Sequence, residues 1–231
     1  MSTLEMNGVT LMGCTQQYDL SVSSGQVAIV YGESPAIRQS LLRVLSGEDL
    51  PAKGAISLDN MNFSQMKPKQ RREIHERKFR YIAKNDLLLD YLTAVENCLI
   101  PEVNFTGITI ERTKILLRKL GVNSPERRMP HELSPLERRL VAVGRSLRLN
   151  PKVLLGYEPA GGLDAQDAEA LYISLQRIAR EHKLIVITTE AALPPCGENQ
   201  DFLLLKLHEP KMSMTTPKND EGQATPREVM Q

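Results

Sequence analysis

Gly32, Ser34, Arg38, Gln39 and Ser40 are spaced as parts of a phosphate cradle would be, in the run Gly32-Glu33-Ser34-Pro35-Ala36-Ile37-Arg38-Gln39-Ser40. Such a cradle works through successive backbone N–H groups that ring the phosphate oxygens at the positive end of a helix. Glycines let the chain reach the required angles, a lysine neutralises the terminal phosphates, and the next hydroxyl holds Mg²⁺. Here Gly32 keeps the first glycine. Pro35 offers no N–H and restricts Ser34. Ile37 is β-branched where a late glycine is wanted, so positive φ is costly there. Arg38 keeps the charge but replaces a point cation with a planar fork, and Gln39 stands where the metal-binding hydroxyl belongs. Sliding the register by one places Ser40 at the metal but Gln39 at the cation. Each lost charge-assisted contact is worth roughly 1.5–3 kcal/mol. Losing about three lowers affinity roughly a thousandfold or more.

The flanks carry the positioning elements. Val27-Ala28-Ile29-Val30-Tyr31 reads as a buried strand, and Ser40-Leu41-Leu42-Arg43-Val44-Leu45 as a helical run that stops at Ser46-Gly47. Strand, glycine turn and helix is the setting of a phosphate loop. Taken alone, it is equally the setting of an ordinary strand–turn–helix in an α/β domain.

The second half of the chain adds more. One stretch runs Glu132-Leu133-Ser134-Pro135-Leu136-Glu137-Arg138-Arg139-Leu140-Val141-Ala142-Val143-Gly144-Arg145. Another runs Val153-Leu154-Leu155-Gly156-Tyr157-Glu158-Pro159-Ala160-Gly161-Gly162-Leu163-Asp164, and a third Leu184-Ile185-Val186-Ile187-Thr188-Thr189-Glu190. Together they resemble the ATP-binding cassette (ABC) ATPases. The first is similar to the signature motif, from Ser134 on, with Pro135 and Leu136 in place of both glycines. The second is similar to the Walker B and D-loop region, with Tyr157 in place of the metal-associated aspartate and with Glu158 and Asp164 retained. The third is similar to the switch-histidine strand, with Thr189 in place of histidine. Tyr81-Ile82-Ala83-Lys84 resembles the Q-loop with Lys84 at the glutamine, and Leu92-Thr93-Ala94-Val95-Glu96-Asn97 matches the segment that follows it. Leu4 to Met12 resembles the opening strand. Gly13 falls near the adenine-stacking aromatic, with Tyr18 nearby as a candidate substitute. The resemblance covers about residues 4–206 and is closest to the macrolide-exporter, lipoprotein-release and cell-division type of cassette.

The resemblance implies an α/β, P-loop NTPase-like cassette with a mixed or parallel central sheet, an antiparallel edge sheet and a helical subdomain at about 86–140. It implies one domain over residues 1–208. Intact members pair head to tail, each ATP lying between one subunit's phosphate loop and the other's signature, on a membrane permease. In active relatives the glutamate matching Glu158 polarises the attacking water. Here it is either a residual catalytic carboxylate or a strand-end turn residue, and Asp164 either shapes the dimer-facing loop or caps the following helix. The expected function is therefore a degenerate ATP-binding subunit of a transporter or permease-like complex, with hydrolysis lost or strongly impaired. No cofactor is expected, and ATP with Mg²⁺ only if residual binding persists. The partners are an integral-membrane permease, reached through the groove around Lys84 to Asn97, and a second cassette, identical or different. The place is the cytoplasmic face of the inner or plasma membrane. Two alternatives stay open: a cassette with weak ATP binding beside an intact one, and a soluble scaffold or regulator on the same fold.

Composition agrees with one large soluble domain. The 231 residues can bury a sizeable core. Lysine plus arginine number 29 against 28 for aspartate plus glutamate, so no strong basic field argues for nucleic acid. No apolar run is long enough to span a bilayer, and the start shows no signal-peptide pattern. Cys14, Cys98 and Cys196, like the four histidines, are scattered and suggest no metal site or disulfide framework. The basic stretch Asn60 to Arg80 carries Glu73 and Glu76 at helical spacing, so it reads as a solvated, salt-bridged helix. Val153–Leu155, Leu184–Thr188 and Asp201–Leu205 read as buried parallel strands. Ala165 to His182 reads as a helix with Leu171, Leu175 and Ile178 inward. The Pro-, Lys- and Thr-rich tail at 209–231 is expected to be disordered.

Overall fold

The computed structural model describes residues 1–32, 34–100, 107–195 and 201–208; the tail at 209–231, Glu33 and Cys196 lie outside them. Buried apolar runs set the architecture. Val27–Tyr31 (β3), Phe79–Ile82 (β6), Val153–Tyr157 (β7), Ile185–Glu190 (β8) and Leu203–Lys206 (β9) form a parallel sheet in the order β6-β7-β8-β3-β9. Thr3–Thr10 (β1), Tyr18–Ser23 (β2), Lys53–Leu58 (β4) and Met61–Asn62 (β5) form an antiparallel sheet in the order β2-β1-β4-β5.

Alternation along the parallel strands divides the core in two. Val27, Ile29, Leu154 and Val186 face one apolar layer. That layer is completed by helices α3 (Ala94–Leu99), α4 (Gly107–Leu120), α5 (Pro135–Leu147) and α6 (Ala165–His182). Ala28, Val30, Val153, Leu155, Ile185 and Ile187 face the opposite layer, where α1 (Pro35–Leu45) and the antiparallel sheet close over them. Parallel strands covered on both faces must be apolar throughout, and β8 is buried at every position. Gly144 lets α5 approach its neighbours: a Cβ there would lie 2.8 Å from Leu117 and 3.3 Å from the Cys98 sulfur.

Three expectations are corrected in detail. Leu203–Lys206 is an edge strand with Leu204 exposed, not a buried one, because β9 pairs with β3 alone. The exposed basic helix, α2 (Pro68–Lys78), ends before Phe79, where β6 begins; the mixed composition of 60–80 hid that strand. The ties of α2 run outward rather than along the helix: His75 meets Glu48, and Arg71 donates to the carbonyls of Gly47 and Met66.

Gly32 is kept by packing. A Cβ on it would sit 2.8 Å from the Leu207 Cβ and 2.9 Å from the Leu207 carbonyl oxygen. Leu207 in turn donates its N–H to Tyr31 at 2.7 Å. Substituting Gly32→Ala is therefore expected to cost about 1–3 kcal/mol through overpacking. Urea or thermal unfolding should show it, with Tm falling by about 2–4 °C per kcal/mol in a chain of this size; an unchanged Tm would show that this close approach is not needed.

Candidate functional site

The C-terminal ends of β3, β7 and β8 bring Gly32, Tyr157, Glu158, Thr189 and Glu190 together beneath the start of α1. α1 begins at Pro35 in its first turn, with Ser34 extended as the N-cap and its hydroxyl accepting from the Ile37 N–H at 3.5 Å. One turn in, Arg38 is 2 % exposed. Its guanidinium folds back beneath the loop, donating to the Gly32 carbonyl and to Oε1 of Glu158, with which it forms an ion pair. Where a phosphate cradle presents N–H groups, this loop turns a carbonyl oxygen toward an arginine. Gln39 is exposed and Ser40 half-buried.

Glu158 follows β7 with φ at 44°, a left-handed backbone that a non-glycine residue adopts at a cost. Its N–H donates to Thr189 at 2.8 Å and its carbonyl accepts from Gly161 at 2.9 Å. The second carboxylate oxygen accepts from Lys84 Nζ at 2.6 Å. Burial alone would raise the Glu158 pKa, but the hydrogen bonds and charges of Lys84 and Arg38 outweigh it and hold the carboxyl below its ordinary value. Lys84, half-exposed at the end of the β6 edge, is raised by its hydrogen bond and charge contact with that same carboxylate.

The other predicted residues fall around this cluster. Tyr157 is half-buried and packs on the layer shared with α1. Thr189 is fully buried and its hydroxyl donates to the Gly156 carbonyl at 3.4 Å. Ser134 is the N-cap of α5, in a reciprocal capping box with Glu137, whose carboxylate also meets Arg128. Asp164 accepts from the Asp167 N–H at 2.8 Å and caps α6. Tyr18 is corrected as a stacking candidate: it is 3 % exposed, and its hydroxyl is engaged with the main chain of His208. Among the described residues no group of three His, Cys, Asp or Glu side chains is placed to hold a metal ion.

Two residues escaped the sequence reading. Arg139 is buried and bridges the carbonyls of Ala83 at 2.7 Å and Gly161 at 3.2 Å. Glu190 is also buried, accepting from Tyr172 Oη at 2.8 Å and from the Ala160 N–H at 3.1 Å. Only a polar residue closing an apolar strand hinted at it. Burial, and then the charge of Glu158, push the Glu190 carboxyl up, against the pull of its two donors and Arg38.

The two carboxyls move stability in opposite directions with pH. Glu190, raised, binds its proton in the fold before it does in the unfolded chain, so acidifying from neutral pH stabilises the fold. Glu158, depressed, contributes stability that is present above its ordinary unfolded pKa and is lost as pH falls through its lowered folded pKa. Glu190→Gln keeps both acceptor bonds without the charge. It should raise Tm at pH 8 by about 2–4 °C, the effect of about 1 kcal/mol, and flatten the gain that acidification gives the wild type. A fall in Tm at pH 8 would reverse this assignment.

Comparison with known proteins agrees with the geometry. The ABC transporter family model matches residues 15–161. The lipoprotein-releasing system ATP-binding protein LolD of Bacteroides fragilis is 32% identical over 158 residues, covering 67% of this chain and 73% of that one. The macrolide export ATP-binding/permease protein MacB of Shewanella oneidensis is 31% identical over 174 residues, covering 74% of this chain but 26% of that longer protein. Among solved structures, the dimeric bacterial ABC transporter cassette MJ0796 superposes with a TM-score of 0.66 at 21% identity, over 88% of this chain and 94% of that one. The cbiO1 cassette of Clostridium perfringens gives 0.71 at 17% identity, over 82% and 78%. These last two speak for the fold. From the strand order, the loop beneath α1 and the family match over most of its length, this chain belongs to the ABC transporter family, as an ATP-binding subunit of the lipoprotein-release and macrolide-export branch.

Proposed function

We propose that this chain serves a membrane transporter as a cassette that no longer hydrolyses ATP, its phosphate site being filled by its own side chains. The observation that carries this reading is the Arg38–Glu158–Lys84 cluster. The cation that would meet a phosphate is buried and neutralised, and the carboxylate that would act on water is the group neutralising it. A general base works only on a water already positioned beside substrate. Admitting ATP means breaking a buried ion pair, at about 3–5 kcal/mol when one partner is left uncompensated. Pro35 still lacks an N–H, Gln39 points to solvent, and Tyr157 brings a ring where a metal site needs oxygen. Mg-ATP does not fit these residues.

The competing reading, weak ATP binding beside an intact cassette, is disfavoured by the other half of the motif set. The N-terminus of α5 is occupied by the chain's own Ser134–Glu137 box, with a carboxylate where a phosphate would approach. An intact partner would still meet a damaged half-site on this chain. The relatives' names, a lipoprotein-releasing system and a macrolide export permease, support work beside a permease on the cytoplasmic face of a membrane. No helix among the described residues is long and apolar enough to cross one.

The surface for that subunit lies after β6. Leu87 is 68% exposed and Tyr91 74%, with Leu89 half-exposed beside them, while Leu88 turns inward. Exposed apolar side chains on one connector, rimmed by Asp86, Asp90 and Arg138, suit a partner helix.

Two outcomes are expected. Calorimetry and a coupled ATPase assay on the full chain should find no turnover, and ATP binding about a thousandfold weaker than an intact cradle gives. Arg38→Lys alone should not restore it. Combining Pro35→Gly, Ile37→Gly, Arg38→Lys and Gln39→Ser should improve binding without turnover. A micromolar Kd for the wild type, or turnover abolished by Glu158→Gln, would overturn the reading. In cells, Leu87→Glu with Tyr91→Glu should release the protein from membranes while Tm moves by no more than about 2 °C, as exposed substitutions allow. Wild-type protein found wholly in the soluble fraction would favour a soluble regulator instead.

A further inference from the structure

Glu158 stands between cations from two different parts of the chain. Arg38 belongs to α1, in the core; Lys84 opens the connector of residues 83–93 that leads from β6 to α3. Each takes one carboxylate oxygen, Oε1 for Arg38 and Oε2 for Lys84. The backbone of Glu158 is fixed as well, by its bonds to Thr189 and Gly161 and by its left-handed φ. The backbone that carries this carboxylate is therefore held by bonds that involve neither cation.

The connector has no regular structure, and polar links hold it. Arg139 binds the Ala83 carbonyl, Arg138 Nε meets Asp86 at 2.8 Å, and the Asn97 side chain accepts from the Leu89 N–H at 2.7 Å. Lys84–Glu158 adds the tie to the residue that neutralises Arg38. A Cβ on Gly161, in the turn closed on Glu158, would lie 3.1 Å from Lys84 Cε, so the lysine stem is seated on that turn.

Building on the reading of an internally filled phosphate site, we infer that Glu158 is a tethered anion. Its carboxylate takes an anion's place between Arg38 and Lys84, and through Lys84 it fixes the connector that displays Leu87, Leu89 and Tyr91. An anion supplied by the chain itself costs no association entropy and never dissociates. The connector is then held in one position at all times, and the docking surface is insensitive to soluble nucleotide. The Lys84 end is half-exposed, so concentrated salt weakens that end of the tie before the buried Arg38 end.

The test is amide hydrogen exchange of the full chain, read at Leu89 and Leu92, whose N–H groups are bonded within this region. In Glu158→Ala the two amides should exchange about tenfold faster, as local opening is favoured, and Tm should fall. Millimolar acetate or inorganic phosphate should restore much of the protection and of the Tm, while wild-type protein ignores both anions. Lys84→Met should open the connector with little change in Tm, and Lys84→Arg should recover the protection. An Ala variant that folds but is indifferent to both anions overturns the tethered anion. Should that variant fail to fold, unchanged exchange in Lys84→Met overturns the proposal by itself. ATP turnover by the wild type would sink the pseudo-ATPase reading while leaving the exchange results standing; absence of turnover with an indifferent connector would sink the tether alone.

Discussion

The buried pair of Arg38 and Glu158 is the constraint around which the rest of the site is arranged. An arginine 2 % exposed beneath a loop cannot stand uncompensated. Its charge requires an acceptor set, and the Gly32 carbonyl and the Glu158 carboxylate provide it. Around that pair lie the loop carbonyl, the left-handed turn after β7 and, through Lys84, the connector. Ser34, Pro35 and Ile37 form an ordinary helix start, with Ser34 as the N-cap. The arginine of the loop and the retained glutamate are thus explained together: they are partners.

Much of the fold was legible in the chain. The Val27–Tyr31 run, the Leu184–Thr188 run and the helix from Ala165 to His182 carry strong apolar periodicities, and each element lies where those patterns place it. The strand at Phe79–Ile82 was not, since four residues after a charged helix give too short a signal. Edge and centre were also confused at Leu203–Lys206. Three leucines look alike whether one or two strands flank them, and only the topology tells them apart.

At the site, residue identities showed what had been replaced but not what the replacements do. Arg38 read as a poorer lysine; its pairing with Glu158 comes from long-range packing, β7 lying beside β3's neighbour β8. Lys84 read as a lost glutamine, and its pairing across 74 positions of sequence with Glu158 has no local signature. Glu190 and Arg139 were invisible for the same reason: each is defined by partners from distant segments. Asp164 was easier, because a cap acts within four residues of itself; the capping role of Ser134 was not read from the sequence.

The clasp between Gly32 and Leu207 bears on how the chain is made. β3 is made before both of its neighbours, β8 and β9, which lie far later in the sequence. The loop under α1 cannot settle against Leu207 until nearly the whole described chain has left the ribosome. Until then a central apolar strand, buried at four of its five positions in the finished fold, has both edges open. Long-range parallel pairing of this kind is slow. β3 is therefore exposed to mispairing at its edges until β8 and β9 have been made, while α1 and the antiparallel sheet can cover only one of its faces.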